Sequence, residues 1–100
     1  MASTKEYLTF ILEQLSGLEV TSRAMMGEYV LYYRGKVFGG IYDNRFLVKN
    51  IKSAAEKMPD ATLEVPYEGA KKMLLVEDIE NKDFLRELFN AMYEEVAKSK

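Results

Sequence analysis

The sequence predicts an α+β domain of two layers: a mostly antiparallel sheet with an N-terminal and a C-terminal helix packed on it. Three observations carry this expectation. Residues 23–50, RAMMGEYVLYYRGKVFGGIYDNRFLVKN, alternate runs of β-branched and aromatic residues with two-residue turn signals at Arg34-Gly35 and Asp43-Asn44. The two ends of the chain carry apolar residues at helical spacing instead. The strands are joined by tight turns, which build antiparallel hairpins, whereas parallel neighbours need long crossovers.

Ser3 and Glu6 stand at capping-box spacing ahead of Leu8, Ile11, Leu12 and Leu15, so a first helix is expected over residues 4–16. Tyr7 and Phe10 widen its apolar stripe, and Gly17 is placed to end it in a left-handed conformation. Residues 20–26 follow as a strand, with Gly27 as a bend or bulge before the next strand at residues 28–33. The two turns then fold a third and a fourth strand back on it. A short helix capped by Asn50 or Ser53 ends near Met58, because Pro59 disfavours helical geometry in the residue before it. Residues 61–66 are an ambiguous edge strand, Tyr67-Glu68-Gly69-Ala70 a turn, and residues 73–77 a buried strand. Asp78, Glu80 and Asn81 bring acceptors and negative charge to the start of a last helix that runs to about Ala97. Its inner face is Phe84, Leu85, Leu88, Phe89, Met92 and Val96. The expected order is α-β-β-β-β-α-β-β-α in one domain, 1–100.

The turns set the register, with Tyr33 opposite Lys36 and Tyr42 opposite Arg45, and cross-strand partners share a face. One face then carries Val30, Tyr32, Val37, Gly39, Ile41, Phe46 and Val48, and is expected to lie under the helices. The other carries Tyr29, Leu31, Tyr33, Lys36, Phe38, Gly40, Tyr42, Arg45, Leu47 and Lys49. A one-residue slip would exchange the faces of a strand.

At 100 residues, 48% hydrophobic and 30% charged, the chain has the size and composition of one ordinary globular domain. It has no cysteine, which excludes disulfides, thiolate metal sites and a cysteine nucleophile. The N-terminus lacks the basic and apolar regions of a signal peptide, and no apolar run approaches the ~20 residues that span a bilayer. A soluble, cytoplasmic protein without a membrane partner is expected. The net charge of −2 weighs against a domain built mainly to hold nucleic acid.

Histidine is also absent, which removes the commonest general base. Glu28 with Asp43 is an imaginable carboxylate pair, but a strand edge and a turn already explain both. Glu77-Asp78-x-Glu80 could meet a hard cation, yet it lacks the alternation and glycine of a calcium loop and reads better as an acidic helix start. Gly39-Gly40 lacks the context of a phosphate-binding loop. No catalytic residue, metal ligand or cofactor is expected, and the chain reads as a non-enzyme. The aromatic and basic sheet face is the surface to suspect, with Arg23, Tyr29, Lys36, Phe38, Tyr42, Arg45 and Lys49 as its candidate interaction residues. Single-stranded nucleic acid stacks on such faces in some sheet-based readers. A protein partner, or a second copy of the chain, is favoured, because an uncovered face this aromatic would be a large apolar patch.

The segments Arg23-Ala24-Met25-Met26-Gly27-Glu28-Tyr29, Leu31-Tyr32-Tyr33-Arg34-Gly35-Lys36-Val37-Phe38-Gly39-Gly40-Ile41 and Leu47-Val48-Lys49 together resemble the N-terminal domain of the TfoX/Sxy competence regulators. Pro66-Tyr67-Glu68-Gly69-Ala70-Lys71 and Met73-Leu74-Leu75-Val76 resemble the short, single-domain branch of that family. The resemblance covers about residues 5–96 and lies in the order and spacing of residues that are not diagnostic singly. It implies an α+β fold of the secretion-chaperone-like type, the cytoplasm of a bacterium or archaeon, and regulation of DNA-uptake genes alongside the cyclic AMP receptor protein. It supplies no catalytic residues. Two features depart from it: the helical second domain of the full-length regulators is not expected here, and the family's Met-Phe-Gly-Gly reads Met25-Met26-Gly27-Glu28.

Overall fold

The computed structural model describes residues 3–98. Its elements follow the expected order: α1 (Lys5–Gln14), β1 (Val20–Met25), β2 (Glu28–Tyr33), β3 (Lys36–Tyr42), β4 (Arg45–Val48), α2 (Lys52–Lys57), β5 (Leu63–Glu64), β6 (Met73–Leu75) and α3 (Lys82–Lys98). The six strands form one sheet in the order β1-β2-β3-β4-β6-β5, and every neighbouring pair is antiparallel. The α+β expectation holds, down to the doubtful edge strand β5.

Three two-residue hairpins build the first four strands. Met26-Gly27, Arg34-Gly35 and Asp43-Asn44 all have positive φ at both residues, the signature of type I′ turns, whose twist matches that of the strands they join. Gly27 is therefore a turn residue between paired Met25 and Glu28, not a bend or bulge.

The helix caps also differ from expectation. Thr4 caps α1, its side-chain oxygen accepting the Tyr7 N–H at 3.1 Å. Ser3 lies one residue too early, and its hydroxyl donates to Glu28 instead. The start of α2 has no side-chain cap; the Ser53 N–H there is donated to the Glu95 carboxylate on α3 at 2.6 Å. Asn81 caps α3 as expected, accepting the Phe84 N–H at 3.1 Å.

All three helices cover one face of the sheet. Leu8 and Ile11 from α1 with Leu15 just after it, Ala54 from α2 and Leu85, Leu88, Phe89 and Met92 from α3 close over Leu31, Tyr33, Phe38, Ile41, Phe46, Val48 and Leu74. Tyr33 adds a hydrogen bond to Asn90 at 2.9 Å. Arg34 at the hairpin tip spans the Tyr33 and Tyr93 rings and pairs with Glu19 at 3.0 Å.

Both turn registers are as expected, with Tyr33 opposite Lys36 and Tyr42 opposite Arg45. Between them, however, Leu31 pairs with Gly39 and Tyr32 with Val37, leaving Phe38 as an extra residue in β3. A bulge of this kind exchanges faces on one side of itself. Beyond it the expected faces are correct: Ile41, Phe46 and Val48 meet the helices, Gly39 pairs with Val48, and Gly40, Tyr42, Arg45 and Leu47 lie on the opposite face. On the β2 side they are inverted. Tyr29, Leu31, Tyr33 and Phe38 turn to the helices, and Val30, Tyr32 and Val37 turn away.

Candidate functional site

The face turned away from the helices is crossed at one end by the loop of residues 65–72. Arg45 fastens that loop: its Nη1 donates to Glu64 Oε1 at 2.7 Å and its Nη2 to the Val65 carbonyl at 3.1 Å. The Tyr67 ring lies 5.9 Å from the Tyr42 ring, and Pro66 beside it is buried. Tyr42 and Leu47, although on the open face, are both buried, Tyr42 beneath the Tyr67 ring. Burial, with Tyr67 next in effect, raises the Tyr42 phenol above the ordinary tyrosine value.

Between this loop and the strands runs a groove of about 680 Å³. Val37, Tyr42 and Met73 form its strand side, Tyr67 and Ala70 its loop side, and Lys49, Lys71 and Lys72 also line it. Val37, Leu63 and Tyr67, which line it too, keep 37%, 46% and 56% of their surfaces exposed. The groove therefore pairs accessible apolar surface with positive charge.

The expected interaction residues are distributed over both faces. Phe38 is buried under α3, and Tyr29 is half-buried against the same core. Lys36 is exposed on the helix side, beside Met92, Tyr93 and Val96 of α3. Arg23 is exposed on the open face, in the cross-strand row with Val30, Gly40 and Leu47. Arg45 is engaged by Glu64 and Val65. Only Tyr42 and Lys49 line the groove. Tyr67, Lys71 and Lys72, which also line it, come from a loop whose sequence carries no sign of where it packs.

Glu28 and Asp43 do meet, in a fastening. Glu28 Oε1 accepts the Ser3 hydroxyl at 2.6 Å, the Ser3 N–H at 3.1 Å and the Asp43 N–H at 3.0 Å. Asn44 completes it, donating its N–H to Ser3 Oγ at 3.0 Å and accepting the Thr4 N–H on its side-chain oxygen at 2.9 Å. The network ties the start of α1 to two hairpin turns and occupies the carboxylate with backbone donors. Among the described residues, Glu77, Asp78 and Glu80 form no group that could hold a metal ion, and Asp78 instead accepts from the Asn81 side chain at 3.2 Å. No described helix is long and apolar enough to cross a membrane.

The family model of the TfoX N-terminal domain matches residues 12–95. The chain is also 35% identical over 80 residues to an uncharacterised 12.7 kDa protein from the trpE 5′ region of Spirochaeta aurantia, an alignment that covers 79% of this chain and 70% of that protein. No solved structure matches the chain.

Proposed function

The chain belongs to the TfoX N-terminal domain family, and from that premise we propose that it is a non-enzymatic regulatory domain acting through contacts with a protein partner. The groove on the open face is the observation that carries this reading. Accessible apolar side chains at Val37, Leu63 and Tyr67 lie among three lysines, the mixture of apolar anchor and polar rim on which interfaces are built. The Glu28 carboxylate, which could have served acid–base chemistry, is committed to holding the fold. Cytoplasmic control of genes for DNA uptake is the context the family resemblance supplies.

The test is genetic. RNA profiles of a host strain lacking the protein are compared with those of a strain carrying Tyr67→Ala together with Lys71→Glu. The double variant is expected to reproduce the changes caused by deletion while the protein remains at its normal level. A deletion that leaves RNA unchanged would refute the regulatory role, and a variant that behaves as wild type would remove the groove from it.

A further inference from the structure

Three ammonium groups line the groove and no carboxylate does. The chain as a whole is nonetheless acidic on balance, with 16 Asp and Glu against 14 Lys and Arg. Among the described residues Lys49, Lys71 and Lys72 form no ion pair, whereas Arg45, elsewhere on the open face, is held by Glu64. Like charges gathered without counter-ions on an acidic protein repel one another until an anion arrives.

We propose that this groove binds an extended acidic segment of a partner protein, two or three carboxylates meeting Lys49, Lys71 and Lys72 and one bulky apolar side chain seated between Tyr67 and Val37. The inference rests on the protein-contact reading and names the chemistry of its partner. At about 680 Å³, the groove falls within the ~300–1,000 Å³ of ordinary binding clefts, enough for one large side chain with its neighbours. Lysine is a mobile point charge that does not demand the planar fork geometry of arginine, so the groove reads a pattern of negative charge more than a fixed sequence.

The charge balance selects a peptide over a nucleic acid. Beyond a Debye length of ~8 Å at physiological salt, exposed charges are largely screened. A few carboxylates held in the groove therefore meet mainly its lysines. A polynucleotide runs on past it, and its further phosphates meet a surface that is acidic on average.

The test is selection from a display library of random peptides, with an oligothymidylate titrated in parallel. Wild-type protein is expected to enrich sequences that place two or more Asp or Glu beside an aromatic or large aliphatic residue. The affinity of an enriched peptide should fall on the order of tenfold in Lys71→Glu/Lys72→Glu and in Tyr67→Ala. All three side chains are exposed, and an unchanged amide NMR spectrum away from the groove verifies that the variants fold. Neutral or basic winners, or acidic winners bound equally by the charge-reversed protein, would overturn the acidic-segment inference while leaving a protein-contact role intact. Oligothymidylate binding tighter than any peptide would overturn it in favour of nucleic acid. No enrichment at all would count against both readings.

Discussion

Phe38 lies against Phe89 with ring centroids 4.1 Å apart and planes inclined by 62°, so the extra residue of the β3 bulge is an anchor of the core. It also meets Phe46 edge-on, at 6.5 Å. Pairs of this geometry add to the burial of the rings themselves. The bulge thus sends one aromatic ring under α3 and leaves its neighbour Val37 on the open face.

Truncating the two neighbours should have very different effects. Phe38→Ala is expected to destabilise the domain by ~3–5 kcal/mol, the usual cost of emptying an aromatic site in a core. Val37→Ala should cost less than about 1 kcal/mol. Urea denaturation of the two variants gives the comparison, and equal losses would contradict the bulge.

Gly39 is required by the approach of β4. A Cβ there would collide with the Leu47 carbonyl oxygen and lie 2.8 Å from Val48 Cα, and both are backbone atoms that cannot swing aside. Gly39→Ala should therefore cost ~1–3 kcal/mol as an overpacking change. Its amide NMR shifts should move most at Leu47 and Val48.

Glu28 holds the N-terminal end of α1 against the hairpin turns. Glu28→Ala removes the acceptor for the Ser3 hydroxyl and for the Ser3 and Asp43 N–H groups. A loss of ~1.5–3 kcal/mol is expected, in the range for bonds to a charged group. Hydrogen exchange should quicken at Ser3, Asp43 and Asn44 while the centre of α3 changes only with global stability.

Glu95 gives the fold an acid-sensitive contact. The Ser53 N–H donated to it is the first cause, with Lys52 adding, that holds its carboxyl below the ordinary value of 4.5. A carboxyl with a lowered folded pKa contributes stability that is complete above the unfolded value and is lost as pH falls through the folded one. Wild type should therefore exceed Glu95→Gln in urea midpoint at pH 7, and the gap should close as the pH drops below about 4.5. A gap independent of pH would show that the charge plays no part.

Much of this structure is legible in the sequence. Arg34-Gly35 and Asp43-Asn44 announce their turns because glycine, asparagine and aspartate tolerate positive φ, and α1 and α3 announce themselves by helical spacing. Met26-Gly27 is harder, since methionine carries no turn preference, yet it takes the same conformation. The bulge could be suspected from Gly39-Gly40 but not placed, because nothing local distinguishes Phe38 from Val37 as the additional residue. Its position follows from α3, which offers Phe89 as a partner. The site suffers more. Lys49 and Tyr42 stand out near the strands, but Tyr67, Lys71 and Lys72 belong to a loop placed by long-range contacts, Arg45 to Glu64 and Val65 and Tyr67 against Tyr42.

Thiol accessibility decides most directly whether the groove faces solvent while Phe38 and Leu31 face the helices. The chain has no cysteine of its own, so single substitutions report without background. Val37→Cys and Tyr67→Cys should react with a maleimide at rates close to that of an unfolded reference thiol. Leu31→Cys, fully buried here, should react only through opening of the fold, slower by orders of magnitude. A protected thiol at position 37 with a freely reactive one at position 31 would invert the two faces and remove the groove as an interaction site.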